Sequence, residues 1–206
     1  DESELIEIAN VAKNYNIFVI SDEIYEKLVY DGFQCTSIAA LDEDIKKRTI
    51  TVNGFSKAYS MTGWRLGYLA CDANLAKVIA AYQSHSTSNP TSFAQYGAVA
   101  ALTHPDQSEI EKMRTSFEKR RNLMYDLIAQ IKKMSAFKPT GAFYMFCDIS
   151  ASGMQAMEFA SRLLAEAKVA VIPGESFGSE KHIRLSFAVS EDTIKKGILR
   201  IKDWLK

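Results

Sequence analysis

Neither sign of charge is in excess: twenty-five Lys and Arg stand against twenty-five Asp and Glu, for a net charge of zero at neutral pH. That balance removes the electrostatic ground for expecting a nucleic-acid or anionic-membrane partner. Cysteine is scarce. Cys35, Cys71 and Cys147 are far apart, odd in number and without a CxxC pair, and so read as reduced thiols of a cytoplasmic protein. No run of about 18 apolar residues is present, the length a membrane-crossing helix needs, and no signal-peptide pattern opens the chain. The three histidines, His85, His104 and His182, lack metal-ligand spacing, so no metal is expected. Repeats and low-complexity tracts are absent.

What is there is an ordinary globular composition, with 206 residues of which 47% are hydrophobic and 24% charged. This is enough to bury a core in one large or two modest domains. Asp1-Glu2-Ser3-Glu4 has the form of a capping box running into the apolar spacing of Leu5, Ile8, Ala9 and Ala12. The chain is therefore expected to begin at the first turn of a helix, as a piece of a longer chain would. Ile17–Ile20 fits a buried parallel strand, Thr49–Val52 a second strand and Arg65–Ala70 a third, with a loop over 31–48. Helices are predicted over about 74–84 and 93–102, either side of the STSNPTS break, and a long charged one to about residue 134. Glu118-Lys119-Arg120-Arg121 on that helix reads as a solvated face with local ion pairs. Beyond it, strands are predicted over 141–149, 169–172 and 183–188, with helices near 154–167 and 191–205. Helix and strand interleave, which points to an α/β layer followed by an α+β subdomain, with the boundary within the long helix or just after it, around residue 135.

Chemistry is suggested by NGFSKAYSMTGWRLGY, residues 53–68. A lysine on a short loop after a buried strand can form an imine with a carbonyl compound. To act as a free amine near neutral pH it needs desolvation or nearby positive charge, because its ordinary pKa is about 10.4. Arg65 supplies positive charge. The hydroxyls of Ser56, Ser60 and Thr62 suit a phosphate, as does the arginine fork. On these residues alone, an exposed loop lysine remains the commoner case.

The whole segment from Asn53 to Gly67 resembles the pyridoxal-phosphate attachment site of class I/II aminotransferases, including the small residue before the lysine and the spacing to the arginine. The resemblance implies that Lys57 is the imine-forming and proton-shuttling amine, with Ser56 and Arg65 binding the cofactor. Ser21-Asp22-Glu23-Ile24-Tyr25 resembles the family's strand-end motif. It implies that Asp22 pairs with the protonated pyridine nitrogen, keeping the ring an effective electron sink, and that Tyr25 hydrogen-bonds the phenolic oxygen. VIPGESFG at 171–178 and HIRLSFA at 182–188 resemble the closing segment, where Arg184 would grip the substrate α-carboxylate in a bidentate pair. GAFY at 141–144 resembles a further family segment. Ser88–Ser92 corresponds to a region near the active site and dimer interface.

The resemblance spans essentially all 206 residues and corresponds to the second half of the family's chain. The implied fold class is α/β: the C-terminal part of a fold-type I transferase large domain over 1–134, with a partial, mostly parallel sheet, and a small α+β subdomain over 135–206. The family's glycine-rich phosphate loop, ring-stacking aromatic and asparagine contact have no counterpart in the sequence. The expectation is a piece of an aminotransferase that acts on an amino acid and a 2-oxo acid as a homodimer in the cytoplasm. On its own, the piece is expected to bind pyridoxal phosphate weakly or not at all and to be inactive, with an unpaired sheet edge. An inert or anion-binding domain and a C–S lyase relative are open alternatives, since the cofactor carries the hard chemistry. No second arginine for a dicarboxylate stands out near Lys57 or Ser88–Ser92, which leans away from an aspartate-only enzyme.

Overall fold

A computed structural model describes residues 1–206. They form two compact units, Asp1–Ile110 and Glu111–Lys206.

The first unit opens with α1 (Glu2–Asn14), whose N-cap Asp1 makes the expected reciprocal capping box with Glu4. Ala9 and Ala12 are the buried face of α1, and they cluster with Ile38 and Ile45. Ile38 begins a 3₁₀ turn (Ile38–Ala40) and Ile45 lies on the short α2 (Glu43–Lys47), so the segment expected as loop is partly helical. Asp42 sets that helix by accepting from the Asp44 and Ile45 amides, both at 2.9 Å. Strands β1 (Val19–Asp22), β2 (Thr49–Gly54) and β3 (Gly67–Ala70) form a sheet with β2 in the centre. β1 runs parallel to β2, with Asp22 opposite Val52, whereas β3 is antiparallel to it, with Gly54 opposite Gly67. The expected mostly parallel sheet is thus mixed, because the chain returns from β2 to β3 through a short turn instead of a crossover helix. The apolar run at 17–20 is also not buried as expected: Ile20 on the edge strand β1 is 72% exposed. Helices α3 (Ala73–Ser86) and α4 (Ser92–Thr103) complete this unit, with Thr91 as the α4 N-cap residue.

Helix α5 (Ser108–Ile128) spans the division between the units. The sequence places the boundary within the long helix or just after it, around residue 135, and the break in packing falls at Ile110/Glu111, near the start of that helix. The reason is that α5 packs with the second unit: Phe117 stacks on Phe143 at 5.5 Å and meets the edge of Phe187 at 6.4 Å. The charged run on α5 is not uniformly solvated either. Arg121 is fully buried, donates to the Pro139 carbonyl at 2.8 Å and faces Glu118 at 3.6 Å.

The second unit's sheet has the order β4 (Ser135–Ala136), β5 (Tyr144–Asp148), β7 (His182–Ser186), β6 (Ile172–Pro173), with each neighbouring pair antiparallel. Met145 and Cys147 on β5 and Ile183 and Leu185 on β7 are buried. The residues between them make up the other face, as the period of two requires. The core continues with Phe159 on α6 (Ala156–Arg162) and with Ile194, Ile198 and Ile201 on α7 (Glu191–Trp204).

Candidate functional site

The C-terminal ends of the parallel strands β1 and β2 gather the first-unit candidates, the usual place for ligands on a parallel sheet. Asp22 ends β1, and its carboxylate accepts the Ile24 amide at 3.2 Å, turning the chain out of the strand. The Glu23 amide still donates to the Val52 carbonyl at 2.8 Å, so this turn stays tied to β2. Three residues beyond Asp22, Tyr25 presents its ring to the Lys57 Nζ, 5.8 Å from the centroid. Residues 32 positions apart in sequence are therefore neighbours in space.

Lys57 is held on a tight turn that follows β2. The Tyr59 and Met61 amides both donate to the Phe55 carbonyl at 3.3 Å, and the Ser60 amide reaches the Lys57 carbonyl at 3.4 Å. Phe55 and Ala58 are buried on either side of the lysine, which itself is half-buried. Phe55, Met61 and Leu66 pack with Ala94 and Ala98 of α4. The same helix carries Gly97 against Trp64, where an added Cβ would lie 2.5 Å from the indole. The turn that carries Lys57 is thus pinned by apolar contacts.

Ser56 and Arg65 lie in the turn that joins β2 to β3. Gly54 faces Gly67 so closely that a Cβ on Gly54 would sit 3.1 Å from both the Gly67 Cα and the Leu66 carbonyl oxygen. Arg65 takes the left-handed region, φ 53 and ψ 49, at the end of the turn Thr62–Trp64, and its guanidinium donates to the Thr62 carbonyl at 2.8 Å. A non-glycine residue in that region is uncommon and often marks a functional constraint. Tyr59 and Tyr68 flank Phe55 at 5.5 and 5.7 Å. Burial, reinforced by Glu26, pushes both phenols above their ordinary range, so they stay protonated. A depression of about 610 Å³ lined by residues including Ser37, Lys46, Lys47 and Cys71 takes in none of the candidate residues.

Arg184 lies in the second unit, at the middle of β7, opposite Phe146 on β5 and Ile172 on β6. Its guanidinium lies over the rings of Tyr144, 4.3 Å, and Phe177, 4.6 Å. His182 is a strand residue stacked on Phe146 at 4.8 Å and bonded through Nδ1 to the Ser179 hydroxyl at 2.7 Å. No cluster of three or more His, Cys, Asp or Glu could hold a metal. The two rings at Arg184 were not legible as such. Their segments, GAFY and PGESFG, stood out only as units, with Gly174 and Gly178 as the signal of a constrained turn.

The donor set of the first unit is one carboxylate, one phenol, one amine and an arginine with hydroxyls. It fits a heteroaromatic phosphate ester bearing a carbonyl: each polar group of such a molecule has one partner of the right chemistry.

Comparison with known proteins bears on this fit. The family model "Aminotransferase class I and II" matches residues 1–201. A probable aspartate/prephenate aminotransferase of Aquifex aeolicus is 46% identical over 100% of this chain and 53% of its own. An aspartate aminotransferase of Bacillus subtilis is 44% identical over 100% of this chain and 53% of its own. Among solved structures, the aromatic aminotransferase of Pyrococcus horikoshii superposes with a TM-score of 0.96 at 36% identity, covering 100% of this chain and 55% of that one. The chain spans about half the length of the curated relatives it matches. The match nevertheless runs continuously through both units. It replaces the narrower expectations of a C-terminal portion, a partial large domain and an inactive piece with assignment to the family along the chain.

Proposed function

We propose, since the chain belongs to the aminotransferase class I and II family, that it moves an amino group between an amino acid and a 2-oxo acid with pyridoxal phosphate as cofactor. The family implies that cofactor, and the strand-end donor set has the chemistry to hold it. When bound, pyridoxal phosphate supplies an electron sink that lowers the cost of negative charge at the substrate Cα. In this reading the Asp22 carboxylate keeps a proton on the ring nitrogen, the Tyr25 hydroxyl donates to the phenolic oxygen, and Ser56 and Arg65 take the phosphate. Lys57 is the covalent anchor, and its Nζ carries the proton that leaves substrate Cα. Arg184 orients the substrate through its α-carboxylate.

The observation that carries this is the Lys57 Nζ, 5.8 Å from the Tyr25 ring centroid, on a turn whose neighbouring side chains are buried. A surface lysine has no need of such a mount. The relatives' names, aspartate, aspartate/prephenate and aromatic-amino-acid aminotransferase, support a substrate among dicarboxylic and aromatic amino acids. A homodimer in the cytoplasm belongs to the same proposal.

Adding pyridoxal phosphate to the chain should raise a visible absorption band that borohydride removes, with the reduced adduct mapping to Lys57. Lys57→Ala should abolish the band and lower any transamination by at least about a hundredfold, the lower end for loss of a positioned proton carrier. An adduct on another lysine, or turnover unchanged by Lys57→Ala, would overturn the assignment.

A further inference from the structure

The even-numbered residues of β5 and β7, Tyr144, Phe146, Asp148, His182, Arg184 and Ser186, share the sheet face opposite the core. Within that face Arg184 is singular. It makes no hydrogen bond or ion pair with any carboxylate or carbonyl of the chain, yet its guanidinium is covered by aromatic rings, Tyr144 at 4.3 Å and Phe177 at 4.6 Å. By contrast, Arg114 is spent on Glu111 and Glu118, at 2.7 and 2.9 Å. Ring contact holds the guanidinium through its π face and leaves its N–H donors for an anion.

The ring of Phe177 is not there by chance of a mobile loop. It ends the 3₁₀ turn Gly174–Phe177, which is fixed at three points. A Cβ on Gly174 would lie 2.4 Å from the His182 carbonyl oxygen and 2.5 Å from that of Ser179, so only glycine lets the turn lie against the start of β7. The Glu175 carboxylate accepts the Met157 amide at 2.9 Å, tying the turn to the first turn of α6. Gly178 then leaves the turn at φ 82, with the Ser179 amide donating back to the Gly174 carbonyl at 3.0 Å. Phe146 braces the ring edge-on, at 6.0 Å and 89°.

We infer that Phe177 and Tyr144 are positioning residues for carboxylate recognition. They hold the Arg184 guanidinium in one plane so that a substrate carboxylate meets a fork already oriented. The inference rests on the proposed role of Arg184 and assigns to the PGESFG turn the task of presenting one side of the clamp. Preorganisation of this kind strengthens binding by cutting the ordering cost of a long side chain.

The test is titration of the chain with 3-phenylpropionate, a carboxylate with no amine, read by the Nε–H signal of Arg184 in NMR spectra. Arg184→Lys assigns that signal and should lose the binding. Phe177→Leu keeps apolar bulk without a π face, and should weaken binding about three- to tenfold and broaden the signal. Phe177→Tyr should restore both. If Phe177→Leu binds as the unaltered chain does, the clamp is wrong while the role of Arg184 stands. If the unaltered chain shows no shift, or Arg184→Lys binds equally, the reading of Arg184 itself falls, and the clamp with it.

Discussion

The sheet of the second unit is covered on one face along its two central strands: Met145, Cys147, Ile183 and Leu185 are all buried, and the intervening residues turn the other way. The sheet of the first unit has no comparable face. β3 is exposed along its length and Ile20 on β1 is 72% exposed, although the strands are as apolar in sequence. The firmest packing in the first unit lies beside the sheet, where Phe55, Met61 and Leu66 meet α4. The lysine-bearing turn is therefore steadied by its own local cluster, whereas the arginine of the second unit is mounted directly on a well-covered strand. One unit mounts its candidate side chain, Lys57, on a turn, and the other mounts Arg184 on a sheet.

Substitutions can break this contrast. The largest effect is expected from Gly174→Ala, because the new methyl would meet two carbonyl oxygens at 2.4 and 2.5 Å. We expect a loss of about 4 kcal/mol in urea unfolding, in the range that marks a steric clash with fixed backbone. A loss under about 1 kcal/mol would show the turn to be plastic. Next is Ile183→Ala, which empties a fully buried site on β7 and should cost about 3 kcal/mol.

A smaller effect depends on pH. Burial pushes the Cys147 thiol up from 9.0 to about 12. A thiol held neutral in the folded protein contributes stability that is present in full below the unfolded pKa and fades as pH rises from there towards the folded one. The stability advantage over Cys147→Ala should therefore shrink by about 1–2 kcal/mol between pH 8 and pH 10.5. An advantage constant over that window would mean that the site admits water. Smallest of all is Ile20→Thr on the exposed edge strand, expected within about 0.5 kcal/mol of the unaltered chain. A cost as large as that of Ile183→Ala would show β1 to be covered in solution, and the contrast between the sheets would vanish.

Several features were legible in the residues. The Asp1–Glu4 capping box, a strand beside Asp22 (expected over 17–20, formed over Val19–Asp22) and the lysine turn are set by neighbours a few positions away, and local chemistry is what a sequence displays. Arg121 was misread because a charge on a helix is solvated unless a distant carbonyl receives it, and Pro139 is eighteen residues on. The antiparallel course of β3 was missed because an apolar run looks alike in either direction. Period alone likewise does not tell that Ile20 lies bare while Ile183 is buried, since exposure depends on what packs above the strand.

The amino-acid sequence by itself determined which chemical groups are available: the amine of Lys57, the carboxylate of Asp22, the guanidinium of Arg184, and the glycines that permit tight turns. It also determined the family, because those groups come in a recognisable order. Only the tertiary structure decided which groups meet. It brought the Tyr25 ring to Lys57 and closed Tyr144 and Phe177 over Arg184. The reason is physical: strand pairing and turn packing join residues far apart in the chain, and the distances they impose are written in no single segment.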